Sequence, residues 1–141
     1  MRFGGGLRAF VVVLSLGLLA GCGGGENVEG PETVELKGRM EVTKGGNVKS
    51  LSDRALIVVF QSVEKPEVKA FGTILEDGTF TMATQVVDKG KPGVVPGTHR
   101  VHLSGDDSAE RVVNRKFLKH ETSGITVKVP LEGELVIQVW N

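Results

Sequence analysis

From Thr33 onward the chain repeats one pattern: short runs in which apolar and polar side chains alternate, each soon closed by Gly, Pro or Asp-Gly. A strand sends successive side chains to opposite faces, so a period of two marks a sheet with one buried side and does not fit the 3.6-residue period of a helix. In TVELKGRMEVT, Val34, Leu36, Met40 and Val42 share one face and Glu35, Lys37, Arg39 and Glu41 the other, with Gly38 read as a bend or bulge. ALIVVFQ, residues 55–61, is continuously apolar and rich in β-branched residues. It suits a central strand covered on both faces, or a core strand close to a loop cap.

The remaining runs extend the pattern. Asp77-Gly78 predicts a type I′ hairpin, with Phe80 and Met82 facing one way and Thr79 and Thr81 the other. KGGNVKSLSD reads as a loop and QVVDKGKPGVVPG as a Gly/Pro-rich crossing loop. THRVHLS places His99, Val101 and Leu103 on one face. GDDSAERVVNRKFLKHETSG is the longest irregular segment, with one helical turn within Arg111–Lys119 and Phe117 and Leu118 as a plug for the sheet edge. ITVKV turns Ile125, Val127 and Val129 inward, Leu131–Gly133 is a turn, and ELVIQVW follows as the last strand. The expected fold is all-β: about seven strands in a Greek-key β-sandwich over residues 33–141. The 20 glycines and the 5% aromatic content fit strands and turns.

A different composition precedes this region. Met1–Arg8 carries two arginines and no acid, and Ala9–Ala20 is a run of 12 apolar or small residues. A membrane-spanning helix needs roughly 20 such residues. A basic start, a short apolar core and small residues after it describe a secretory signal, and a short buried core helix is the alternative for such a run. Leu19-Ala20-Gly21-Cys22 then resembles a bacterial lipobox. Leu19, Ala20 and Gly21 would be read by the signal peptidase, which needs small side chains before the cut. The Cys22 thiol would take a diacylglyceryl group as a thioether and become the acylated N-terminus. One acyl chain anchors only marginally, whereas two or three hold a protein to a membrane without spanning it. Gly23 rather than Asp follows the cysteine, which by resemblance to Gram-negative sorting implies the outer membrane or cell surface over the inner membrane. The expected organisation is a lipoprotein signal at 1–21, a lipidated Cys22 with a flexible tether over 22–32, and the sandwich over 33–141.

The strand order itself carries a resemblance. ALIVVFQ, TILEDGTFTM, VPGTHRVHL, TSGITVKV and ELVIQVW together resemble small bacterial lipoproteins with a carboxypeptidase regulatory-like, transthyretin-like β-sandwich, related in layout to immunoglobulin-like domains. The matching pattern has an acidic-Gly-x-Phe hairpin, a later Pro-Gly-x-Tyr-x-Val strand, a Thr-Ser-x-Leu/Ile-x-Val segment and a final apolar strand. It covers about Val34–Trp140. The family's inward tyrosine position is His99 here, and a histidine turned inward needs a hydrogen-bond partner. The resemblance implies an accessory module without catalysis. One transthyretin-like branch hydrolyses 5-hydroxyisourate and carries Tyr-Arg-Gly-Ser after its last strand. This chain reads Gln138-Val139-Trp140-Asn141 there, so that activity is not carried over.

Charge and residue inventory narrow the function classes. There are 17 basic and 17 acidic residues, and taking away Arg2 and Arg8 leaves 15 against 17, about −2. That balance lacks the basic excess that nucleic-acid binding requires. Cys22 is the only cysteine, which excludes an intrachain disulfide and a multi-cysteine zinc site. His99 and His102 lie three apart on one strand and so point to opposite faces, with His102 expected to be exposed. Asp106, Asp107 and Glu110 lack the spacing of a calcium loop. No Gly-x-Ser-x-Gly elbow and no phosphate loop occurs. Arg111, Arg115, Lys116, Lys119 and His120 form a local basic cluster suited to an anionic glycan or lipid headgroup, although such charge runs are more often solvated faces.

The expectation is therefore a membrane-anchored, non-catalytic lipoprotein with no cofactor, no metal and no catalytic residue, acting in binding or envelope architecture with an envelope protein or glycan as partner. A surface-exposed carbohydrate- or peptide-binding module using loops 85–97 and 105–124 is the alternative. A hydrolase of unspecified type is the third reading.

Overall fold

A computed structural model describes residues 30–141. The signal segment, Leu19, Ala20, Gly21, Cys22 and the tether up to residue 29 lie outside the described residues. The first alternating run becomes β1 (Lys37–Val42). It pairs antiparallel with β4 (Thr79–Thr81) and parallel with β9 (Leu135–Val139), giving a three-stranded sheet ordered β4-β1-β9. The continuous apolar run becomes β2 (Ile57–Ser62), between β3 (Lys69–Thr73) and β7 (Gly97–Ser104). With β5 (Ala83–Val86), β6 (Lys89–Pro92) and β8 (Ile125–Val129), these form a six-stranded sheet ordered β6-β5-β3-β2-β7-β8.

The inward faces of both sheets contribute to one core. Leu36, Met40, Phe80, Ile137 and Val139 come from the three-stranded side, and Val58, Phe60, Val101, Leu103 and Val127 from the other. The alternations over 34–42, 79–82, 99–103 and 125–129 therefore place their apolar members inward as expected. Val58, Val59 and Phe60 are all buried, as suits a central strand whose outer face is also covered.

Among the described residues, nine strands form rather than about seven, for local reasons. After Thr81 the chain leaves β1, and at Ala83 it joins β3, so the run TFTMAT is cut at the buried Met82 into strands of different sheets. The stretch expected to be a crossing loop folds as the β5–β6 hairpin, turning at Val87, whose φ is +50°. Asp77-Gly78 does turn the chain, but it joins β3 of one sheet to β4 of the other, so no paired hairpin follows. Only Gly78 (φ +86°) is left-handed there, where a type I′ turn would need both central residues so. A Cβ on Gly78 would lie 2.6 Å from the Met40 carbonyl oxygen.

Two further departures concern small elements. KGGNVKSLSD contains the short helix α1 (Val48–Asp53), whose first turn is capped by Asn47 Oδ1 accepting from the Ser50 N–H at 2.9 Å. Its Leu51 is fully buried and ties α1 to the core. Gly38 sits in regular β1 pairing rather than in a bulge: an added Cβ would meet the Phe80 ring at 2.7 Å, so glycine admits that ring. The long irregular segment holds two 3-10 turns, Ala109–Arg111 and Arg115–Leu118, and Phe117 from the second is buried against the core with Leu118 packed beside it.

Candidate functional site

The outer face of the six-stranded sheet carries the polar side chains that the inward alternation leaves over. Register places Lys69, Gln61, Arg100 and Thr126 side by side across β3, β2, β7 and β8. The next outward row is Phe71, Val59 and His102. The segment after the second 3-10 turn folds back over β7, and the Ser123 hydroxyl donates to the Val101 carbonyl. That return brings His120 over the sheet, its ring centroid 5.8 Å from that of His102.

Arg100 and His120 both line two adjoining cavities of about 270 Å³ each. One also includes Gln61, Ser62, Val63 and Pro66, the other Glu121, Gly124, Ile125 and Thr126. His120 Nε2 lies 3.2 Å from Glu121 Oε1. Among the described residues, Lys69 and Arg100 form no ion pair. An unpaired guanidinium beside an imidazole offers forked, charge-assisted donors matched to a carboxylate or another oxyanion, while Gln61 Nε2 already donates to the Pro66 carbonyl at 3.0 Å.

His102 is half-buried rather than exposed, because Val59 and the returning segment cover it. Burial pushes its pKa down, and the charges of His120 and Lys69 add to that, while Glu121 opposes them. Its Nδ1 has no partner among the described residues. His99 faces the opposite side, as its spacing from His102 requires. It is buried in the core near the Phe60 ring, where Nε2 donates to the Val95 carbonyl at 2.7 Å and Nδ1 has no partner among the described residues, so the hydrogen-bonding need of an inward histidine is half met.

The basic cluster is spread over separate settings. Arg115 donates to Glu110 Oε2 at 2.7 Å, and that pairing raises its pKa. Lys116 Nζ lies 4.6 Å from the Trp140 ring centroid and 5.0 Å from that of Phe117, a cation–π position. Arg111 is exposed, its carbonyl accepting from Asn141 Nδ2 at 2.9 Å, and Lys119 is exposed. Only His120 reaches the outer-sheet cavities. The β5–β6 turn of loop 85–97 lies at the Ser62 end of β2, whereas loop 105–124 leaves β7 at the Ile57 end and returns His120 to the cavity that Ser62 and Val63 line. Arg100, Lys69 and Gln61 were legible only as outward members of their strands, since nothing in the chain order shows that β2, β3 and β7 are neighbours.

Among the described residues, no three His, Cys, Asp or Glu side chains are grouped to hold a metal, and no helix is long and apolar enough to cross a membrane. Comparison with protein-family models, characterised proteins and solved structures returned no significant match.

Proposed function

We propose that this chain is an exported lipoprotein, held to a bacterial membrane through lipid on Cys22 and more at home on the outer membrane than the inner. Its two-sheet domain serves there as a non-catalytic binding or accessory module. The finer fold reading is a Greek-key sandwich of the carboxypeptidase regulatory-like kind. It is supported by β4 returning beside β1 after β2 and β3 have paired in the other sheet. The anchor reading rests on Leu19-Ala20-Gly21-Cys22 after a short apolar run.

The observation that carries the binding role is Arg100: unpaired among the described residues, outward, and shared with His120 by two cavities. The ligand group it suits is an oxyanion, as on a uronic-acid glycan or an acidic peptide side chain. Detergent-solubilised full-length protein is titrated against acidic and neutral oligosaccharides and acidic peptides, alongside Arg100→Ala. The proposal expects binding restricted to the anionic ligands and lost in the variant. Binding that is absent, or unchanged by Arg100→Ala, contradicts it.

A further inference from the structure

The described residues that lead toward Cys22 leave the domain at one defined place. Val34 and Val94 exchange backbone hydrogen bonds at 2.8 Å, the Thr33 hydroxyl donates to the Pro92 carbonyl at 2.7 Å, and Lys91 Nζ donates to the Pro31 carbonyl at 2.7 Å. Gly30 lies so close to Val86 that an added Cβ would sit 3.0 Å from both valine methyls. Traced toward Cys22, the chain thus runs along β6 to the turn of the β5–β6 hairpin.

Eight residue steps separate Gly30 from Cys22. At a maximum of roughly 3.3–3.6 Å per residue they reach about 28 Å, whatever path they take. A lipid on Cys22 would therefore keep the hairpin turn within that distance of the membrane.

The surface at this end suits such a neighbour. Among the described residues, the four exposed large apolar side chains divide between the two ends of the domain. Val87 (86% exposed) and Val63 (44%) lie at the hairpin end, beyond β5 and β2. Leu75 lies past the opposite end of β3, and Trp140 past the corresponding end of β9. Val87 is also a β-branched residue at φ +50°, where glycine or asparagine would turn the chain with less strain. Lys89 and Lys91 follow it on β6, the Lys91 ammonium meeting a neutral carbonyl, and Asp88 is the only acid of the hairpin.

We propose that the β5–β6 hairpin rests on the lipid surface, with Val87 among the headgroups and Lys89 and Lys91 facing anionic lipid. This rests on the reading that Cys22 carries the anchor. The contact fixes the orientation of the domain, because the Leu75 end then points away from the bilayer.

The test uses the full-length protein purified from its membrane, with Val87→Cys or Leu75→Cys as the labelled position. An acylated Cys22 leaves the introduced thiol as the one that reacts, and both positions are exposed, so neither change empties the core. Each variant is labelled with an environment-sensitive fluorophore and reconstituted in vesicles of phosphatidylethanolamine and phosphatidylglycerol containing a headgroup-proximal nitroxide lipid. The proposal expects blue-shifted, lipid-quenched emission at position 87 and water-like, unquenched emission at position 75. Unquenched emission at both positions, in protein that has incorporated an alkyne fatty acid, overturns the hairpin contact and leaves the anchor intact. Blue-shifted emission at 87 without lipid quenching means contact with protein and overturns it as well. Failure to incorporate the fatty acid overturns the anchor and this inference together.

Discussion

Replacing Phe117 with Ala tests whether the longest irregular segment is part of the core. The Phe117 ring is 1% exposed and meets the Trp140 ring edge-on, centroids 4.7 Å apart at 88°. Removing a buried phenylalanine costs about 3–5 kcal/mol in transfer and cavity terms. The lost aromatic pair, worth about 0.5–1.5 kcal/mol, favours the upper part of that range. About 4–5 kcal/mol is a large share of the roughly 5–15 kcal/mol that holds a domain of this size together. At a urea slope near the lower part of the usual ~1–3 kcal/mol/M, the midpoint falls by about 2–3 M. The assay is urea unfolding followed by far-ultraviolet circular dichroism and by the fluorescence of Trp140, the chain's only tryptophan. Lys119→Ala, at an exposed position of the same segment, changes stability by less than about 0.5 kcal/mol. If Phe117→Ala moves the midpoint by less than about 0.5 M, the segment is not the plug its burial implies.

Two other positions give independent checks. Gly78→Ala combines a left-handed backbone with a Cβ placed 2.6 Å from a backbone oxygen, so it lowers thermal stability by more than the roughly 1–2 kcal/mol of the conformation alone; an unchanged melting temperature contradicts that geometry. His102 has its folded pKa below the unfolded value of about 6.5, so the unfolded state binds the extra proton first and stability is lost as pH falls below that value. Urea midpoints measured between about pH 8 and pH 5 should therefore decline, less steeply in His102→Gln; equal slopes show that His102 is not the titrating group.

The two scales of information in this chain were unequally legible. Inward and outward sides were readable because alternation is a local property: His99, Val101 and Leu103 face the core, Phe80 and Met82 likewise, and Phe117 closes the edge. Sheet membership was not, because a period of two says nothing about which strand lies alongside. Asp77-Gly78 announces a turn equally well whether the next strand pairs back or crosses to the other sheet, and the switch at Met82 occurs without any breaker residue. The β5–β6 hairpin is masked in the sequence because Gly90, Pro92 and Gly93 imitate a loop. Helix α1 spans less than two turns, and Asn47 was its one start signal. The outer-sheet site combines β2, β3 and β7 with His120 from a distant return, so each residue was visible and their meeting was not.

What Cys22 carries decides whether the domain is tethered to a membrane at all. Cells expressing the full chain are fed an alkyne fatty acid, and the purified protein is coupled to a reporter and compared with Cys22→Ser. Incorporation into the native chain that disappears in the variant is the predicted result. Equal incorporation in both, or none in either, contradicts an anchored lipoprotein.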